Sequence, residues 1–152
     1  MNRAETAQEN FLKGYTCAQS VLLAFSDLTG LDEKTAVRLT AGFGGGVCGR
    51  REMCGAISGM LMAAGLILGS GEAMPAEEKK AFYARMNDLV KTFEAQNGTI
   101  ICRELLGEAA NAPAGAQRTA EYYASRPCGR LIGEAAAILD AALLREKEGA
   151  KA

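Results

Sequence analysis

Five cysteines, Cys17, Cys48, Cys54, Cys102 and Cys128, are the side chains of this chain best suited to chemistry. The sequence has no histidine. That removes Ser-His-Asp and Cys-His nucleophile systems, imidazole-ligated haem, and every zinc site that needs imidazole. The chain opens MNRAETAQENFLKG, polar and mixed in charge, without the apolar stretch of a signal peptide. A cytoplasmic location is therefore expected, where thiols stay reduced and serve as ligands, redox groups or buried apolar side chains rather than as staples. From Cys48 onward, five, forty-seven and twenty-five residues separate successive cysteines, with no Cys-x-x-Cys pair. This spacing excludes a zinc knuckle and a thioredoxin-like site and leaves a site assembled from distant segments.

Arginines crowd the same places. Five of the ten, Arg50, Arg51, Arg103, Arg126 and Arg130, stand within three residues of a cysteine. Cys17, Cys54, Cys102 and Cys128 each fall in the first turn of a predicted helix, where free N–H groups and the helix dipole favour a thiolate. A helix terminus contributes roughly 0.3–1 kcal/mol, against about 1.36 kcal/mol for one pKa unit, so strong activation needs the arginines or a metal as well.

The elements that must position these groups read as helices. The expected fold is all-α, a compact bundle of about six to seven helices around a buried apolar helix at about 54–69. One helix is expected from Arg3 to Leu12, and a second, capped by Thr16, from Cys17 to Gly30. Asp32 caps a third that ends near Gly42, and Gly42 to Gly49 forms a glycine-rich turn. It is no Walker loop, since no Gly-Lys-Ser/Thr follows. On the central helix Gly55, Gly59 and Ala63 fall four apart, a groove that another backbone can approach closely. The uncharged run there is broken by glycines and too short in its apolar part to span a bilayer, so no membrane insertion is expected. Pro75 opens a long amphipathic helix stopped at Asn97-Gly98, Thr99 caps a short one carrying Cys102, and the last runs from Cys128 to about Lys147. Tyr15, Tyr122 and Tyr123 read as core or rim residues. The 152 residues are expected to form a single domain with a charged, frayed tail from about 146 to 152. A hydrophobic fraction of 49% suits a packed core, and a net charge of −1 argues against nucleic-acid binding.

Cys48, then Cys54-Gly55-Ala56-Ile57-Ser58-Gly59, then Cys102 and Cys128, resembles the redox-active protein family named for its C_GCAxxG_C_C signature. Gly14 to Val21, GYTCAQSV, is similar to a second stretch of that family, and the resemblance extends over roughly residues 8 to 145. Gly55 is followed by Ala56 where the signature allows a cysteine, so no thiol stands there. The resemblance implies a redox role, and a relation to a domain of split-Soret cytochromes that carries an iron–sulfur centre. Their c-type haems do not transfer, since the chain has no Cys-x-x-Cys-His.

The expected function is redox chemistry at a site built from Cys48, Cys54, Cys102 and Cys128, with Cys17 as a further candidate. Gly55, Ala56 and Gly59 would give the thiols room, and Arg50, Arg103 and Arg130 would supply positive charge. In one version four thiolates hold an iron–sulfur cluster and the protein carries electrons. In the other the thiols cycle between dithiol and disulfide, with Cys54 attacking and Cys48 as its partner, the two closest in sequence. Either makes the chain an oxidoreductase or electron carrier served by a redox partner protein. The alternatives are a non-catalytic four-cysteine metal-binding or interaction bundle beside a transporter or redox complex, and a helical domain whose cysteines are merely buried.

Overall fold

The computed structural model describes residues 1–151. Among them nine α-helices form: α1 Arg3–Leu12, α2 Cys17–Leu23, α3 Ser26–Thr29, α4 Glu33–Thr40, α5 Gly55–Leu68, α6 Ala76–Asn97, α7 Cys102–Leu106, α8 Ala120–Ser125 and α9 Cys128–Lys151. The all-α expectation holds, and the higher helix number comes from short pieces: α3, α7 and α8 have only four to six residues. Two 3₁₀ turns, Ala41–Phe43 and Gly107–Asn111, extend α4 and α7.

Local chemistry explains the boundaries. Asn2 and Glu5 form a capping box at the start of α1, Thr16 and Gln19 one at the start of α2, and Asp32 caps α4 through the Thr35 N–H. Gly98, in the left-handed region at φ 82°, ends α6. The single helix expected from Cys17 to Gly30 is broken instead. Phe25 leaves helical geometry at φ −114°, ψ 19°, its ring fully buried beneath the Arg3 guanidinium. The Ser26 hydroxyl takes up the Leu23 carbonyl at 2.8 Å, which offsets the interrupted ladder. The last helix also runs past Lys147 to Lys151, while Ala152 of the expected tail lies outside the described residues.

The core gathers Val21 and Leu22 of α2, Phe25 between α2 and α3, Ile57 and Met60 of α5, Phe93 of α6, and Ile132 and Leu139 of α9. Each such side chain, fully buried, contributes roughly 1.5–3 kcal/mol. The expected groove on α5 is present and filled by α2. A Cβ added at Gly59 would stand 2.5 Å from the Ala18 carbonyl oxygen, and one at Gly55 3.0 Å from Cys17 Cβ. Only the first half of α5 is fully enclosed. Gly55 to Met60 are buried, whereas Leu66 is exposed, because nothing covers that side of the last two turns.

Between α4 and α5 the chain makes a left-handed turn. Gly45, Gly46, Val47, Cys48 and Gly49 have φ of 65°, 70°, 68°, 45° and 82° in succession. Such geometry costs a non-glycine residue roughly 1–2 kcal/mol, and a β-branched one such as Val47 suffers most. The turn is held by its own backbone bonds: Cys48 N–H to Gly42 O at 2.8 Å, Arg51 N–H to Gly45 O at 3.0 Å, and Glu52 N–H to Gly46 O at 2.8 Å. Its exit strap then pairs with the segment before α7. Met53 and Ile101 form an antiparallel bridge, flanked by Cys54 N–H to Ile100 O at 2.8 Å and Arg103 N–H to Arg51 O at 3.1 Å.

Candidate functional site

Four helix starts and the left-handed turn surround one cavity of about 380 Å³. Its walls include all five cysteines, Arg51, Arg118, Arg126 and Tyr122. Cys17, Cys102 and Cys128 are the first residues of α2, α7 and α9, and Cys54 is the N-cap of α5. All five are free thiols.

The close approaches that assemble this wall require glycine. At Gly46 an added Cβ would lie 2.6 Å from Cys102 Cβ and 2.8 Å from Arg51 Cα. The strap pairing sets Cys54 opposite Ile100 and Cys102 opposite Glu52, so the two cysteines stand diagonally across the Met53–Ile101 bridge. Gly107 to Thr119 covers the cavity, with Pro113 to Ala116 lining it. Arg51 ties this cover down through the carbonyls of Ala110 at 3.3 Å and Ala112 at 2.7 Å. Arg118 reaches the carbonyls of Phe11 and Tyr15, both at 3.0 Å.

The thiols differ in acidity because their surroundings differ. The strongest influence of one thiol on another is that between Cys17 and Cys128. It raises the Cys17 thiol well above its ordinary value, reinforced by burial, and lowers that of Cys128 to about 7, with Arg126 and Arg51 helping against burial. The negative charge settles on Cys128 because both guanidiniums face it and because it heads the longest helix. Burial pushes Cys54 up to about 12 despite backbone N–H donors from Ala56 and Ile57. Burial also raises Cys102, partly offset by the nearby Arg51 guanidinium. Cys17 feels charge at Cys128, Cys54 and Cys102, and Cys54 feels Cys128 and Cys102, so these four interact as a group.

The profile of a protein family described as "Putative redox-active protein (C_GCAxxG_C_C)" matches residues 15–142. The chain belongs to this family. No curated protein and no solved structure matches it.

In this C_GCAxxG_C_C protein the residues singled out by sequence separate into two sets. Cys54, Cys102, Cys128, Gly55 and Ala56 line the cavity, and so does Cys17. Cys48 stands on the cavity wall but is exposed. Gly59 lies deeper, against Ala18. The three arginines chosen by sequence point elsewhere: Arg103 pairs with Glu52 at 3.0 Å, Arg130 with Glu134 at 2.8 Å, and Arg50 is exposed outside the cavity lining. Their place is taken by Arg51, Arg118 and Arg126. Two of these flank cysteines in sequence, but Arg118 has no cysteine near it, and only the folded cover brings it in. Burial raises the Cys54 thiol to about 12, which disfavours it as the attacking thiolate near neutral pH.

Four thiols on separate helix starts, facing guanidiniums, have the donor chemistry of a four-thiolate iron–sulfur cluster. Among the described residues no three Cys, Asp or Glu side chains converge tightly enough to hold a single metal ion. A cluster spreads its thiolates over several irons and so asks for a wider cradle than one ion does. Among the described residues no helix is long and apolar enough to cross a membrane.

Proposed function

We propose that the protein exchanges a dithiol for a disulfide, with Cys128 as the attacking thiolate and Cys17 as the resolving thiol. The observation that carries this reading is the placement of Cys17 and Cys128 on the wall of one cavity with Arg126 and Arg51 beside Cys128, where the two thiols shift each other's acidity, Cys128 down to about 7 and Cys17 well above its ordinary value. Cys128 attacks one sulfur of a substrate disulfide, breaking that S–S bond and forming a mixed disulfide, and the leaving thiolate takes up a proton. With the Cys128 charge gone, the main cause holding the Cys17 proton is gone too. Cys17 then loses its proton to solvent and attacks the Cys128 sulfur, forming the Cys17–Cys128 disulfide and expelling the second substrate thiol. Two electrons pass from the protein to the substrate, which leaves as two thiols.

Anaerobic titration of the reduced protein with a low-molecular-weight disulfide tests this directly. Two equivalents of thiol should be released per chain, and Cys17→Ser should release one while retaining an adduct on Cys128. Release that survives Cys128→Ser would overturn the assignment.

A second reading is favoured by the cavity itself, whose volume and four interacting thiols exceed what one dithiol pair needs. Cys17, Cys54, Cys102 and Cys128 would hold an iron–sulfur cluster, which supplies one-electron transfer when bound. The helix starts and Arg51, Arg118 and Arg126 would balance its negative charge. Cys54→Ser separates the readings: it abolishes visible absorption between about 400 and 600 nm in the cluster version and spares thiol release in the exchange version.

A further inference from the structure

The three guanidiniums on the cavity wall are more than its thiols require. The ion pairs of the described residues use Arg3, Lys13, Arg85, Arg103 and Arg130, and none involves Arg51, Arg118 or Arg126. Among the described residues no aspartate or glutamate lines the cavity. All three arginines are half-buried, so water does not fully screen them. Arg51 is committed to the Ala110 and Ala112 carbonyls. Arg118 uses only Nη1, and Arg126 makes a single long contact, Nη2 to Ala109 O at 3.5 Å. Each therefore keeps most of its five N–H donors free. The Tyr122 ring holds both, with Arg126 at 4.3 Å and Arg118 at 5.7 Å from its centroid.

The charge balance does not close within the protein. In the reduced state Cys128 is the one thiol shifted toward ionisation, whereas Cys17, Cys54 and Cys102 are shifted away from it. Disulfide formation removes even that charge, leaving three cations in a half-enclosed space. A negative group from outside restores the balance in both states, and guanidinium pairs carboxylates in a fork geometry that also orients them.

We infer that the cavity takes an anionic substrate, a small disulfide carrying a carboxylate near its S–S bond, held by the free donors of Arg126 and Arg118 beside Cys128. This deepens the exchange reading and rests on it. The volume, about 380 Å³, is that of a small-molecule pocket. Binding the carboxylate there brings the S–S bond to the attacking sulfur, while a neutral disulfide gains no such placement.

Two probes separate charge from reactivity. Dithiobis(nitrobenzoate) carries a carboxylate on each half, and dithiodipyridine carries none. Second-order rates of both with the reduced protein give a ratio. An arginine's influence on the Cys128 thiolate acts on both rates and cancels in that ratio. Arg126→Gln and Arg118→Gln should each lower it about tenfold, the effect of losing one charge-assisted contact. Arg126→Lys should keep more of the ratio than Arg126→Gln, and added salt should lower it in the unaltered protein. A ratio insensitive to both glutamine variants and to salt would overturn the inference while leaving thiol exchange standing. Failure of the reduced protein to consume either probe would instead sink the exchange reading, and the inference with it.

Discussion

Cys17, which opens α2, and Cys128, which opens α9, lie far apart in the chain, yet both line one cavity and each shifts the other's acidity. The consequence is an asymmetric pair, one thiol held protonated and the other eased toward thiolate. Two equivalent cysteines in water would not divide the roles of attacker and resolver in this way.

The first prediction concerns pH. Alkylation of Cys128 by iodoacetamide, followed residue by residue with mass spectrometry, should rise with a midpoint at about 7. Cys17→Ala removes the largest influence lowering the Cys128 thiol, so the midpoint should move up toward an ordinary thiol. An unmoved midpoint would mean that Cys17 does not tune its partner.

Two glycines of one helix should respond in opposite directions. A Cβ at Gly59 meets the Ala18 carbonyl oxygen at 2.5 Å, so Gly59→Ala must push α2 from α5 and should cost about 2 kcal/mol or more. Nothing lies within 4 Å of a Cβ at Gly65, where alanine should add up to about 1 kcal/mol of helix stability. Thermal unfolding of the two variants checks both signs.

Alkaline stability follows from the buried thiol. The unfolded chain ionises Cys54 from about 9, whereas the fold holds the proton to about 12. Its contribution is therefore complete below pH 9 and is lost as pH rises toward 12, up to about 4 kcal/mol. Cys128 has the opposite sign, its contribution being present above the unfolded value and lost as pH falls through about 7. Chemical denaturation above pH 9 should show a shallower decline in Cys54→Ala than in the unaltered chain.

Much of this site is legible in the sequence because it rests on local rules. Thr16 and Asp32 announce their helices as caps, and four cysteines sit where helices start. Gly55, Gly59 and Ala63 mark the close packing of α5 before any partner is known. The remainder is set by contacts between segments distant in sequence. Pairing of Met53 with Ile101 brings the strap to α7, and the cover from Gly107 to Thr119 delivers Arg118. Adjacent residues such as Arg50 and Arg51 share composition and proximity to cysteine, yet only Arg51 lines the cavity, at a positive φ of 57°. Proximity in sequence likewise favoured Cys48 and Cys54 as the working pair, whereas the proposed pair, Cys17 and Cys128, rests on burial and on the Arg126 and Arg51 charges, which only the fold brings together.

The central claim is the identity of the working pair, and peptide mapping after stoichiometric oxidation tests it most directly. Reduced protein, treated without oxygen with one equivalent of a small disulfide and then quenched in acid, should yield a disulfide-linked peptide joining Cys17 to Cys128. A bond between Cys48 and Cys54, or Cys17 and Cys128 still reduced after two thiols have been released, would contradict it.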